Sequence, residues 1–266
     1  MHVKAVLFDW AGTTVDFGSR APVQVFMEVF DRIGIQVTEA EARGPMGKAK
    51  REHIASVISL PRIAALWEER FGMAPTGADV DALYADFLPL QLAVLSKGSD
   101  VIPGIPQLIE ALRNQGLKIG SSTGYTRALM EAVVPVAKAQ GYEPDCVVCS
   151  DEVSSGRPQP WLNFKACELL DVYPPQSVIV VDDTPIGIQA ARNAGMWAVG
   201  VSMTGNGLGL SQADASALPE ADLTSRLERI TSEYLAAGAH FVVRSATELL
   251  SLLPTVNQQL ERGIQP

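Results

Sequence analysis

Residues 3–14 read VKAVLFDWAGTT. The apolar run, broken only by Lys4, ends at Asp9 and gives way to a Gly/Thr turn, so it predicts a buried strand that delivers a carboxylate at its end. Residues 177–183, SVIVVDD, repeat that layout and end in Asp182 and Asp183. Four further β-rich runs follow the same pattern: LKIGSS (117–122), DCVVCS (145–150), MWAVGVS (196–202) and HFVVR (240–244). Helical patterns lie between them, including 106–115 closed by Gly116, 161–170, and IGIQAARNA closed by Gly195. Buried strands alternating with helices predict an α/β fold, a doubly wound, Rossmann-like parallel sheet.

The spacing is uneven. Leu7 and Ile119 are more than a hundred residues apart, whereas a crossover needs only about a dozen residues. An inserted all-helical domain accounts for the excess. APVQVFMEVFDRIG (21–34) has helical periodicity, Thr38 and Glu41 form a capping-box pattern, and Pro45 is expected to open a helix running through Ile58. PRIAALWEERFG and ADVDALYADFLPLQLAVL follow, with a kink or break expected at Pro89. FGSRAP (17–22) and KGSDVIPG (97–104) read as a paired hinge. The division is therefore 1–18 and 100–266 for the α/β core, and 19–99 for the helical insert.

The chain has 266 residues, 47% hydrophobic and 19% charged, an ordinary globular composition with ample core. A net charge of −9 argues against a nucleic-acid partner, which would need a basic face. No apolar run nears the roughly 20 residues that span a bilayer, and MHVKAVLF lacks a signal-peptide layout; no membrane partner is expected. Three cysteines cannot all pair, which fits a reducing cytoplasm. Cys146 and Cys149 lie three apart on a strand, point to opposite faces, and are expected to be core thiols.

In an open parallel sheet, ligands bind at the strand ends. Asp9, Thr123, Arg157 and Asp183 fall at or just after such ends. A carboxylate attacking a phosphoryl group meets charge repulsion, which Mg²⁺ held by Asp9, Asp183 and the Ala11 carbonyl would screen. Thr123, the N–H groups that follow it, and the Arg157 fork suit phosphoryl oxygens. Asp182 is left outside the metal set. In the helical insert Met46, Lys50 and His53 are spaced to share one helix face, while Lys48 points elsewhere.

Taken in order, FDWAGTTVDFG, RGPMGKAKREH, IGSSTGYTR, GRPQPW, RNAGMWAVGV and GAHFVV resemble the haloacid dehalogenase superfamily, and within it the phosphonoacetaldehyde hydrolases. The resemblance spans the whole chain. It implies that the insert is a cap, that Lys50 forms a Schiff base with an aldehyde, and that Asp9 is the nucleophile toward a small phosphonate. Substrate contacts would come from Thr123, Gly124, Arg157, Met46 and His53, with Mg²⁺ as cofactor and a homodimer paired through the caps.

Three features of the sequence bear on this reading. Many enzymes built this way carry an acid two residues after the nucleophile to protonate a leaving oxygen; here that position is Ala11. A phosphomonoesterase of the same fold would want that acid and has no use for Lys50. The wider superfamily also often has an acid a few residues beyond the Asp183 position, where this chain has Gly187 and Ile188. Ser19 stands where some relatives have cysteine.

Overall fold

The computed structural model describes residues 1–95 and 98–266. Of the expected hinge segments, the one at 97–104 therefore begins outside the described residues. Six strands form one sheet: β1 (Ala5–Phe8), β2 (Lys118–Ser122), β3 (Cys146–Val148), β4 (Val178–Asp182), β5 (Trp197–Val201) and β6 (Phe241–Val243). All neighbours are parallel and the order is β3-β2-β1-β4-β5-β6. The chain winds outward from β1 to one edge, then returns beside β1 and winds to the other. That reversal places the crevice outside the carboxyl end of β1.

β1 is buried along its whole length because each face meets its own core. Val6 and Phe8 join one cluster, with Ile179, Val181, Val199 and side chains of the helices α6 (Ile105–Asn114), α7 (Arg127–Ala139) and α12 (Leu249–Glu261). Ala5 and Leu7 join the other, with Val178, Val180, Ala198 and side chains of α8 (Trp161–Leu170), α9 (Pro185–Asn193) and α11 (Glu220–Ala236). The two-residue period of a strand explains this division. Cys149 and Cys146 follow it too, packing on opposite sides of the sheet. Burial pushes the thiols of Cys146, Cys149 and Cys167 up to about 11, 12 and 12, so these free cysteines are poor nucleophiles. A short helix, α10 (Gln212–Ala217), precedes α11 on the way from β5 to β6.

Between β1 and α6 come α1 (Arg20–Arg32), α2 (Glu39–Arg43), α3 (Lys50–Ile58), α4 (Pro61–Phe71) and α5 (Gly77–Leu95). They enclose a third core, which includes Phe26, Phe30, Ile54, Trp67 and Phe87. The Thr38/Glu41 capping box opens α2, and α5 passes through Pro89 without ending. One expected helix is shorter than its sequence pattern. Gly47 adopts φ +96°, a left-handed conformation that stops helix propagation, so 44–47 forms a turn and α3 starts only at Lys50. Met46 thus stands in that turn and does not share a helix face with Lys50 and His53.

Among the described residues, no helix is long and apolar enough to cross a membrane.

Candidate active site

The turn before α3 presses the cap onto the sheet's carboxyl edge at two points. A side chain at Gly124, after β2, would start 2.6 Å from the Lys48 carbonyl oxygen. One at Gly47 would start 2.6 Å from Thr184 Oγ1, after β4. Both close approaches exclude a Cβ. Between them lies a narrow cleft, walled by Asp9, Ala11, Thr123, Arg157 and Asp183 from the core and by Met46 and Lys50 from the cap.

Arg157 reaches the cleft from the loop after β3 and is almost fully buried. Its Nη1 donates to Asp9 Oδ1 at 2.7 Å, and its Nη2 donates to Ser122 O and Oγ at 2.8 and 2.9 Å. Asp182 Oδ2 lies 3.1 Å from the same Nη1, within ion-pair distance but outside hydrogen-bonding geometry. Burial works against the guanidinium charge, yet Asp182 and Asp9 outweigh it and keep Arg157 protonated. Burial, opposed by Arg157 and reinforced by Asp182, raises the Asp9 carboxyl to about 7. Asp183 is pushed well above the usual carboxylate range, first by burial and then by Asp9 and Asp182.

Two buried carboxylates that resist ionisation together would both be favoured in their charged forms by a bound cation. Hard carboxylate and carbonyl oxygens fit Mg²⁺, which keeps several waters and needs few protein ligands. Among the described residues no three acidic, histidine or cysteine side chains form a cage; the oxygens that could hold the ion are those of Asp9, Asp183 and the Ala11 carbonyl, residues of one cleft wall.

Lys50 opens α3 and points from the cap into this cluster. It is 3% exposed, and its Nζ makes no hydrogen bond or ion pair among the described residues. The rings of Tyr125 and Phe26 stand 4.6 and 5.4 Å from it. Burial lowers the ammonium pKa to about 7; Asp9 opposes that shift and Arg157 adds to it. Lys48, by contrast, donates to Ser56 Oγ at 2.9 Å.

His53 is brought close without lining the cleft. Its ring stacks on Phe26 at 3.7 Å, and Nε2–H donates to the Ala42 carbonyl at 2.8 Å. Burial and then Lys50 hold it well below the ordinary imidazole range, so it is neutral. Thr123 lines the cleft, but its own N–H is spent on Val148 O and its Oγ1 accepts from Tyr125 N. The donors left in this turn are the Thr123 hydroxyl hydrogen and the Gly124 N–H.

The sequence left Asp182 outside the metal set and singled out neither Asn206 nor Arg43 as a site residue. Asp182 turns into the site, where Thr184 N and Oγ1 donate to its Oδ1 at 2.9 and 2.7 Å. Its carboxyl group fills the space where a side chain at Gly187 would begin, 2.0 Å from a Cβ there, which explains the glycine. Asn206 N donates to Asp183 Oδ2 at 2.7 Å. The glycine-rich loop TGNGLG, directly after a strand, was the available signal for Asn206. Nothing local marks Arg43, which meets this loop from the cap.

A family profile of haloacid dehalogenase-like hydrolases matches residues 3–195. The chain is 45% identical over 265 residues to a phosphonoacetaldehyde hydrolase of Paraburkholderia phytofirmans, covering 100% of this chain and 99% of the relative. It is 42% identical to one from Bacillus cytotoxicus, covering 97% of this chain and 98% of the relative. The crystal structure of a phosphonoacetaldehyde hydrolase-like protein from Oleispira antarctica superposes with a TM-score of 0.98 at 41% identity, covering 100% of this chain and 96% of that one. The sheet with its strand-end carboxylates, the helical cap and these full-length matches agree, and the chain belongs to the phosphonoacetaldehyde hydrolase family of haloacid dehalogenase-like hydrolases.

Proposed function

We propose that this protein hydrolyses the P–C bond of phosphonoacetaldehyde to acetaldehyde and phosphate. The observation that carries the reading is Lys50, a buried cap amine without a charged partner that faces the Asp9 cluster. Direct attack on phosphorus without activation of the substrate would expel an unstabilised carbanion. The neutral Lys50 amine condenses with the aldehyde and releases water, and the imine nitrogen takes up a proton from solvent to become a protonated imine. Asp9 then attacks phosphorus; the P–C electron pair flows into the C=N⁺ bond and gives an enamine. Protonation of the enamine carbon regenerates an imine, and hydrolysis returns Lys50 and acetaldehyde. Water hydrolyses the aspartyl-phosphate on Asp9 to phosphate. Bound Mg²⁺ supplies charge screening between carboxylate and phosphonate.

Residue roles follow from this scheme. Arg157 pairs with Asp9 before substrate arrives, so its fork is already aimed where phosphonate oxygens will sit. The Thr123 hydroxyl and Gly124 N–H donate into the same cleft, next to Ser122, which Arg157 holds. Met46 covers the cleft from the cap, and the Phe26 and Tyr125 rings keep water away from the amine. Neutral His53 holds Phe26 in place. Acetaldehyde and phosphate should appear in equal amounts from phosphonoacetaldehyde, and only with Mg²⁺. Phosphate release without acetaldehyde, or none at all, would overturn the assignment.

Ala11 gives a second test. An enamine leaving group needs no proton from an acid at position 11. A carboxylate there would add negative charge beside Asp9 and Asp183. Ala11→Asp should lower kcat/KM for phosphonoacetaldehyde at least about tenfold, roughly 1.4 kcal/mol of transition-state stabilisation, at saturating Mg²⁺. Unchanged activity in the variant would make alanine at 11 incidental.

A further inference from the structure

One cap side chain joins the two domains at a point the reaction scheme does not use. Arg43 ends α2, and its side chain leaves the cap to lie against the core, only 13% exposed. Nη1 donates to the Gly18 and Ser19 carbonyls of the linker at 3.0 and 3.3 Å, and to Asn206 Oδ1 at 3.1 Å. Nη2 donates to the Gly209 carbonyl at 3.0 Å, while Nε is held by Glu39 of its own helix at 2.8 Å. Asn206 answers with Nδ2 donating to the Arg43 carbonyl at 3.3 Å. The two residues thus form a reciprocal pair across the domain boundary. The other end of Asn206 is its backbone N–H, which donates to Asp183 Oδ2. The loop that carries it fits closely around both partners. A Cβ at Gly205 would lie 2.5 Å from Asp183 Cβ, and one at Gly209 would lie 2.8 Å from the Arg43 guanidinium.

Such a chain of contacts has two ends, one set by the cap and one by a carboxylate of the cation site. We propose that Arg43 is a positioning residue: through Asn206 it transmits the closed position of the cap to the Asp183 carboxylate, so that cap closure and cation binding favour each other. This inference rests on the reading of Asp183 as a Mg²⁺ ligand. Hydrogen-bond partners of a ligating carboxylate set its orientation, and their loss typically weakens metal binding by about 10- to 100-fold. Linkage makes the effect reciprocal.

The test needs no substrate. Mg²⁺ is titrated calorimetrically into metal-free wild type, Arg43→Met, Arg43→Lys, Asn206→Ala and the Arg43→Met/Asn206→Ala double variant. Each single variant should bind Mg²⁺ about tenfold more weakly. The double variant should lose no more than the weaker single, because both changes break one link. Lysine cannot span the linker, Asn206 and Gly209 together, so Arg43→Lys should resemble Arg43→Met. In parallel, Mg²⁺ should slow amide exchange over residues 17–22 in wild type and leave it unchanged in Arg43→Met. Wild-type Mg²⁺ affinity in the single variants, additive losses in the double variant, or exchange in wild type that ignores Mg²⁺ would each overturn the coupling. If Arg43→Met does not fold, Arg43→Lys and Asn206→Ala decide it. Wild type that binds no Mg²⁺ would bring down the Asp183 assignment itself, and the coupling with it.

Discussion

Lys50→Met should abolish P–C cleavage, with kcat/KM falling at least about a thousandfold, some 4 kcal/mol of transition-state stabilisation. Methionine keeps the length and apolar stem of the side chain and fits a site already buried against Phe26 and Tyr125. The fold should survive, since burial of the amine costs stability and nothing pairs with it. In wild type, borohydride added with phosphonoacetaldehyde should inactivate the enzyme and leave a reduced adduct on Lys50. An adduct on Lys48, whose amine is tied to Ser56, would refute the assignment. The pH dependence has a definite sign. Only the neutral amine attacks an aldehyde, and burial lowers Lys50 to about 7. Trapping should therefore be slow below that pH and rise through about 7. A limb near the ordinary lysine value of roughly 10.4 would mean that the amine is solvated in the working enzyme.

Asp9→Asn separates the two halves of the reaction. Phosphate release should fall by at least about four orders of magnitude, more than 5 kcal/mol, because an amide cannot form the acyl phosphate. Imine formation should persist, since it uses a cap residue. Arg157 keeps its contacts with Ser122 and Asp182, so the core should not collapse. Asp9 is the strongest influence raising the Lys50 pKa. Its neutralisation should move the borohydride-trapping limb to lower pH than in wild type. Substantial turnover by Asp9→Asn would end the case for nucleophilic catalysis. An unmoved limb would show that the two groups do not sense each other across the cleft.

The sequence was sufficient for the sheet, the helical insert and the strand-end acids, because each of these is a local signal. A parallel strand is apolar on both faces, so VKAVLF and VIVV mark themselves, and a carboxylate just past such a run has few places to go other than the crevice. The capping box at Thr38 and Glu41 is likewise complete within four residues. What failed locally was the start of α3: helical spacing joined Met46 to Lys50 and His53, but the left-handed Gly47, pressed on Thr184, ended that periodicity. Both Met46 and Lys50 still line the cleft, by different routes. Only the tertiary structure decided the rest. It turned Asp182 toward Arg157 and filled the space beside Gly187, a contact between residues five apart on different elements. It left Lys50 without a partner, which is a property of everything around the amine. It also brought Arg43 to Asn206, 163 residues away in the chain. Periodicity and turn chemistry report on a residue's immediate neighbours, whereas burial, charge balance and contacts between domains arise only when distant segments meet.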